Sequence, residues 1–171
     1  MSKEMQSTEK IFTSKYIATL CFCVVVTLLI SNFVVGFAVV CGESMFPTLN
    51  SGNIVVVEKI SNKYDRFDIV IVDTDDLQII KRIIGTPGDT LQIIGGSVYI
   101  NDEKLDDVID TDIEFAGIAF EPITLGENEY FVMGDNRNNS KDSRYEDTGI
   151  INSKQIKGQV VFSFLPPKSI K

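Results

Sequence analysis

The chain has 171 residues, with 16 Lys+Arg against 24 Asp+Glu and a formal net charge of −8. Binding to nucleic acid needs a basic patch to neutralise phosphates, and no dense Lys/Arg cluster occurs, so nucleic acid is not an expected partner. Histidine is absent, which excludes Ser-His-Asp and Cys-His catalysis and any zinc site built on imidazoles. The length suits one globular domain plus an appendage. Cys21, Cys23 and Cys41 do not form a disulfide framework and read as small apolar side chains. No metal or cofactor is expected.

Residues 1–15 carry Lys3, Lys10 and Lys15. From Tyr16 to Val40 no residue is charged, a run of about 25 where a spanning helix needs roughly 20. As a helix it would be about 37 Å long. The apolar core of a cleaved signal peptide is shorter, about 7–15 residues, so a retained transmembrane helix is expected over 16–40. The next basic residue is Lys59. By the positive-inside rule the N-terminal 1–15 segment is cytoplasmic, and 41–171 forms a domain outside the cell, anchored in the cell membrane by a single pass.

Beyond the run, short stretches with β-branched residues alternate with turn signals. Ile54–Val57, Phe67–Val72, Leu77–Ile84, Thr90–Ile94, Ser97–Ile100, Glu129–Met133 and Gln159–Leu165 read as strands. Their lengths and spacing predict a mostly β, antiparallel domain. The acidic stretch 105–128 reads as a short strand-and-loop excursion inserted into it.

Without histidine, a hydrolase must take a proton by another route. A serine hydroxyl is a poor nucleophile until a base removes its proton. Lysine can serve only when neutral, and burial can depress its reference pKa of about 10.4 by up to about 3–5 units. Lys81 lies among Ile79, Ile80, Ile83 and Ile84; on a strand it shares a face with Ile79 and Ile83. The bland alternative inverts the strand, leaving Lys81 solvated and Ile80 and Ile84 buried. Ser44, next to the turn-forming Pro47-Thr48, either satisfies backbone groups or acts as a nucleophile. At no more than about 3.6 Å per residue it lies within roughly 15 Å of the apolar run. Gly134–Arg144 is too polar for a strand and reads as a loop, with Asp142 and Arg144 paired to brace it. Ser140 is either an ordinary loop serine or a hydrogen-bond partner for a buried amine.

Three segments, Ser44-Met45-Phe46-Pro47-Thr48-Leu49, Lys81 to Asp89 and Gly134 to Arg144, together with the weaker Arg66-Phe67-Asp68-Ile69-Val70, resemble the boxes of bacterial type I signal peptidases, or leader peptidases. The resemblance covers most of residues 16–149. It implies a Ser/Lys-dyad serine endopeptidase that removes signal peptides from secreted preproteins. Ser44 would attack the scissile carbonyl and Lys81 would be the base. Ser140 corresponds to the serine that orients the amine, and Asp142 and Arg144 to the salt-bridged support. The Ser44 N–H would donate to the oxyanion. Gly42 stands where some members carry a serine as second oxyanion donor, and Phe67 stands where a glycine is usual. Met45 and Ile80 are expected to wall the substrate pockets and cover Lys81, or to be plain core. A rival reading keeps the fold without catalysis, as a signal-peptidase-like factor in surface pilus assembly; the presence of both Ser44 and Lys81 disfavours it. The self-cleaving repressor proteases share the dyad but are soluble and carry DNA-binding regions.

Overall fold

The structure, a computed structural model, describes residues 2–74, 77–165 and 167–169; the side chains of 2–14, 30–32, 165, 168 and 169 lie outside the description. Lys3 and Lys10, which set the expected orientation, are among these. Two compact units result, Met1–Gly36 and Phe37–Lys171.

The first unit holds the helix α1, Ser2–Phe33. From Tyr16 to Leu29 its large apolar side chains other than the half-buried Val26 are exposed, including Ile17, Leu20, Phe22, Val24 and Leu28. Thr19 and Thr27 turn their hydroxyls back onto the carbonyls of Lys15 and Cys23, at 2.9 and 2.8 Å, which hides their polar atoms within the helix. Among the described residues no helix is long and apolar enough to cross a membrane.

The expected boundary of the apolar helix is corrected here. Helix α1 stops at Phe33, and Val35–Val39 is a strand, β1. A continuous apolar run cannot be assigned to helix or strand by periodicity alone. The β-branched Val34-Val35 after the poor helix formers Ser31-Asn32 favours the extended form, and β1 takes the edge position next to β2, Ile54–Glu58.

The remaining strands follow in chain order: β3 Ile69–Asp73, β4 Gln78–Gly85, β5 Thr90–Ile94 and β6 Ser97–Ile100. Then come β7 Glu103–Lys104, β8 Ile123–Thr124, β9 Glu129–Met133 and β10 Ile151–Asn152. Strands β11, Ile156–Leu165, and β12, Pro167–Ser169, close the domain. The larger sheet runs β1-β2-β11-β3-β4-β9-β10, with β12 added on β11, and the smaller runs β7-β6-β5-β8. Every described pairing is antiparallel. The mostly β expectation therefore holds. The acidic excursion is mostly irregular, with a 3-10 turn at Gly117–Phe120 and the two-residue β8.

Successive residues of a strand point to opposite faces. In β3, Ile69 and Ile71 pack with Met45, Leu49 and Val55, whereas Val70 and Val72 pack with Tyr64, Tyr130 and Val132. Both faces of the larger sheet are thus covered, which is why β3 reads as an unbroken apolar run. A third cluster joins Phe131 and Met133 of β9 to Leu91, Ile93, Val98 and Ile100 of the smaller sheet.

Candidate active site

The apolar alternation of β4 places Ile79 and Ile83 in one cluster and Ile80 and Ile84 in others, so Lys81 is in line with the first pair. Its register partner across the sheet is the fully buried Val70. Lys81 itself is only 3% exposed; the solvated alternative does not occur. Its amine Nζ donates to the Ser44 Oγ at 2.8 Å and to the Ile80 carbonyl at 3.1 Å. Burial lowers the lysine pKa from 10.5 to about 8; the carboxylates of Asp142 and Asp135 oppose that shift and the Arg144 guanidinium adds to it. At neutral pH such an amine has a usable neutral fraction.

Ser44 is half-buried, in the turn after β1, and Met45 behind it is buried. Met45 belongs to the cluster against which the half-buried Ile80 packs, so both expected pocket walls belong to one apolar layer. Among the described residues the Ser44 N–H donates to no protein acceptor, while its carbonyl accepts from the Asn136 N–H at 3.0 Å. Gly42 is exposed at φ +88°, a left-handed conformation that glycine adopts without steric cost.

The loop after β9 supplies the other residues. The pairing expected between Asp142 and Arg144 is present and bidentate, with Nε to Oδ1 and Nη2 to Oδ2 both at 2.8 Å and both side chains buried. Asp142 also accepts the Gly134 N–H at 2.9 Å, and Arg144 donates to the Arg137 carbonyl at 2.6 Å. Ser140 is buried, but among the described residues its hydroxyl has no hydrogen-bond partner; the lysine amine bonds to Ser44 and Ile80 instead. A Cβ on Gly134 would lie 2.2 Å from the Ser140 Oγ and 2.5 Å from the Ser44 carbonyl oxygen. Only glycine lets these segments come so close.

An ion pair and one further residue of the site escaped the sequence reading. Arg82 donates to Asp135 through Nε and Nη2, at 2.7 and 2.6 Å, with both side chains buried. The signal was present: an arginine on a buried strand calls for a carboxylate, and Asp135 is in the loop that faces it. The further residue is Asn136, whose contacts are with backbone and leave no mark in a sequence pattern.

A family model described as signal peptidase, peptidase S26, matches residues 13–165. The chain belongs to that family. Signal peptidase I S from Bacillus subtilis (strain 168) is 41% identical over 155 residues, which cover 84% of this chain and 84% of the relative. A signal peptidase I from Bacillus licheniformis is 35% identical over 184 residues, 100% of this chain and 98% of its own. A crystal structure of a signal peptidase I from Enterococcus faecalis is 28% identical, covering 57% of this chain and 97% of its own at a TM-score of 0.47, a score that adds nothing to the fold described above. As a member of the signal peptidase family the chain is a serine endopeptidase.

Proposed function

We propose that this chain is a membrane-anchored peptidase that removes N-terminal signal peptides from secreted preproteins, with Ser44 as nucleophile and Lys81 as general base. The observation that carries the reading is the 2.8 Å contact between a buried lysine amine and a serine hydroxyl. When the amine is neutral, the same contact lets the Ser44 O–H donate to the Nζ lone pair. Ser44 then attacks the scissile carbonyl, and the ammonium so formed hands its proton to the leaving amine. The acyl-enzyme that remains is cleared by water activated by the same amine. The unengaged Ser44 N–H is available to the developing oxyanion, an interaction whose loss in comparable enzymes costs about 10²–10³ in rate. Ser140 is assigned to steady the amine, since a buried hydroxyl with no partner is costly and finds one once the amine moves.

The anchor is α1. Its uncharged part, Tyr16 to Phe33, measures roughly 27 Å at 1.5 Å per residue, close to the ~30 Å hydrocarbon core of a bilayer. Exposed apolar side chains and threonine hydroxyls folded onto their own backbone suit that solvent. With Lys3, Lys10 and Lys15 ahead of the span, the N-terminus is cytoplasmic and the β domain faces outward.

The test uses the full chain in detergent with a preprotein as substrate. Ser44→Ala and Lys81→Ala each abolish cleavage, with unfolding midpoints that still report a folded domain. Wild-type cleavage climbs about tenfold per pH unit as the pH approaches that lysine's pKa from below, then levels off. Near-full activity of Lys81→Ala, or a flat profile down to about pH 5, overturns the dyad.

A further inference from the structure

We propose that Asn136 is a positioning residue: it clamps the turn that carries Ser44 from the neighbouring loop and so fixes the reach of the Ser44 hydroxyl. The inference rests on the reading of Ser44 as nucleophile and adds a residue to it.

Asn136 grips two successive carbonyls of that turn. Its backbone N–H donates to the Ser44 carbonyl at 3.0 Å, and its side-chain Nδ2 donates to the Glu43 carbonyl at 3.1 Å. Within the turn itself the Glu43 carbonyl accepts only the Phe46 N–H, at 3.1 Å, and Leu49 closes the next step onto Met45 at 2.8 Å. Gly42 and Glu43, on the N-terminal side, are exposed, so local packing does little to hold the turn there.

The clamp is itself rigidly mounted. Asp135 and Arg137, on either side of Asn136, are both buried, and Asp135 is held by Arg82 through two hydrogen bonds. The close approach of Gly134 to the Ser44 carbonyl fixes the spacing between loop and turn. A displacement of about 1 Å at a reacting group can cost about 10²-fold in rate, and a turn joined to the loop by a single bond is free to make such a displacement.

Asn136→Ala and Asn136→Leu both delete the amide donor and keep the main-chain bond; the leucine also keeps the volume. Preprotein cleavage by each variant is followed across pH. The expected result is a kcat about 10- to 100-fold below wild type, an unchanged KM and a pH midpoint that stays where the wild type has it. A residue that merely packed the site would, when removed, admit water to the Lys81 amine and drive the midpoint toward 10.5, the ordinary lysine value. A moved midpoint, or a kcat within about twofold of wild type, overturns the proposal; should the leucine variant not fold, the alanine variant decides. Ser44→Ala is measured alongside. If it still cleaves, the nucleophile assignment has failed; if it is inert while the Asn136 variants run at full rate, only the clamp has failed.

Discussion

Asp107 holds the guanidinium of Arg137 at 2.8 Å across 30 positions of chain, and the Arg137 side chain has no exposed surface. The pair ties the acidic excursion to the loop that carries Ser140. Two further ties reinforce it: Asn138 bonds to the Asp112 carbonyl and the Glu114 N–H, at 3.0 and 3.1 Å, and Arg144 reaches the Phe115 carbonyl at 3.2 Å.

A buried guanidinium whose carboxylate is removed keeps its desolvation cost and loses its compensation. Asp107→Ala is therefore expected to lower stability by about 3 kcal/mol, the lower end of that class because Asp107 is partly exposed. The double variant Asp107→Ala/Arg137→Met should recover most of the loss. Urea unfolding of the set gives the coupling as a double-mutant cycle. An additive cycle would mean that the pair is not coupled in solution.

Lys81 carries a stability cost with a defined pH window. Its folded-state pKa is below its unfolded value, so the unfolded chain binds the extra proton first as pH falls. The cost is absent well above 10.5, grows as pH falls from 10.5 to about 8, and is complete below that. It amounts to about 3 kcal/mol at its full value. Lys81→Met, which keeps the apolar stem, should be inactive yet more stable than wild type at about pH 6, with the advantage shrinking to about 1 kcal/mol by about pH 10. A stability difference that is flat across this range would place the amine in solvent.

Phe67 has φ +75°, where a bulky side chain is strained, and its ring packs against the cluster around Ile84 and Leu91. Removing the ring costs burial in any variant, so the informative comparison is between two small residues. Glycine usually destabilises relative to alanine, by about 0.5–1 kcal/mol. Here the order should invert, with Phe67→Gly more stable than Phe67→Ala by about 1 kcal/mol. Urea midpoints decide between them; the ordinary order would rule out a left-handed backbone at this position.

Where side-chain chemistry and strand alternation coincide, the sequence was readable. Ile79, Ile80, Ile83 and Ile84 around Lys81 allowed a buried amine, and the short β-branched runs located the seven longer strands of the domain beyond β1 to within a few residues. Periodicity failed inside the apolar run, because Val35–Val39 is as apolar as the helix before it and only pairing in the sheet distinguishes them. Strands of two or three residues, such as β7, β8 and β10, carry too little pattern to detect. Phe67 read as the start of a strand, whereas its positive φ puts it in the turn before β3. The loop after β9 was legible in its ion pair, since Asp142 and Arg144 are complementary charges two positions apart. It was not legible in Asn136, which bonds peptide groups some 90 positions away, nor in the approach of Gly134 to the Ser44 carbonyl.

The hydrogen-sized gap at Gly134 bears on how the enzyme tolerates change. Because loop and turn meet there main chain to main chain, the spacing between them owes little to rotamer choice or to the surface residues nearby. Drift in the exposed sequence has small leverage on that spacing, while almost any substitution at this one position would wedge the two segments apart.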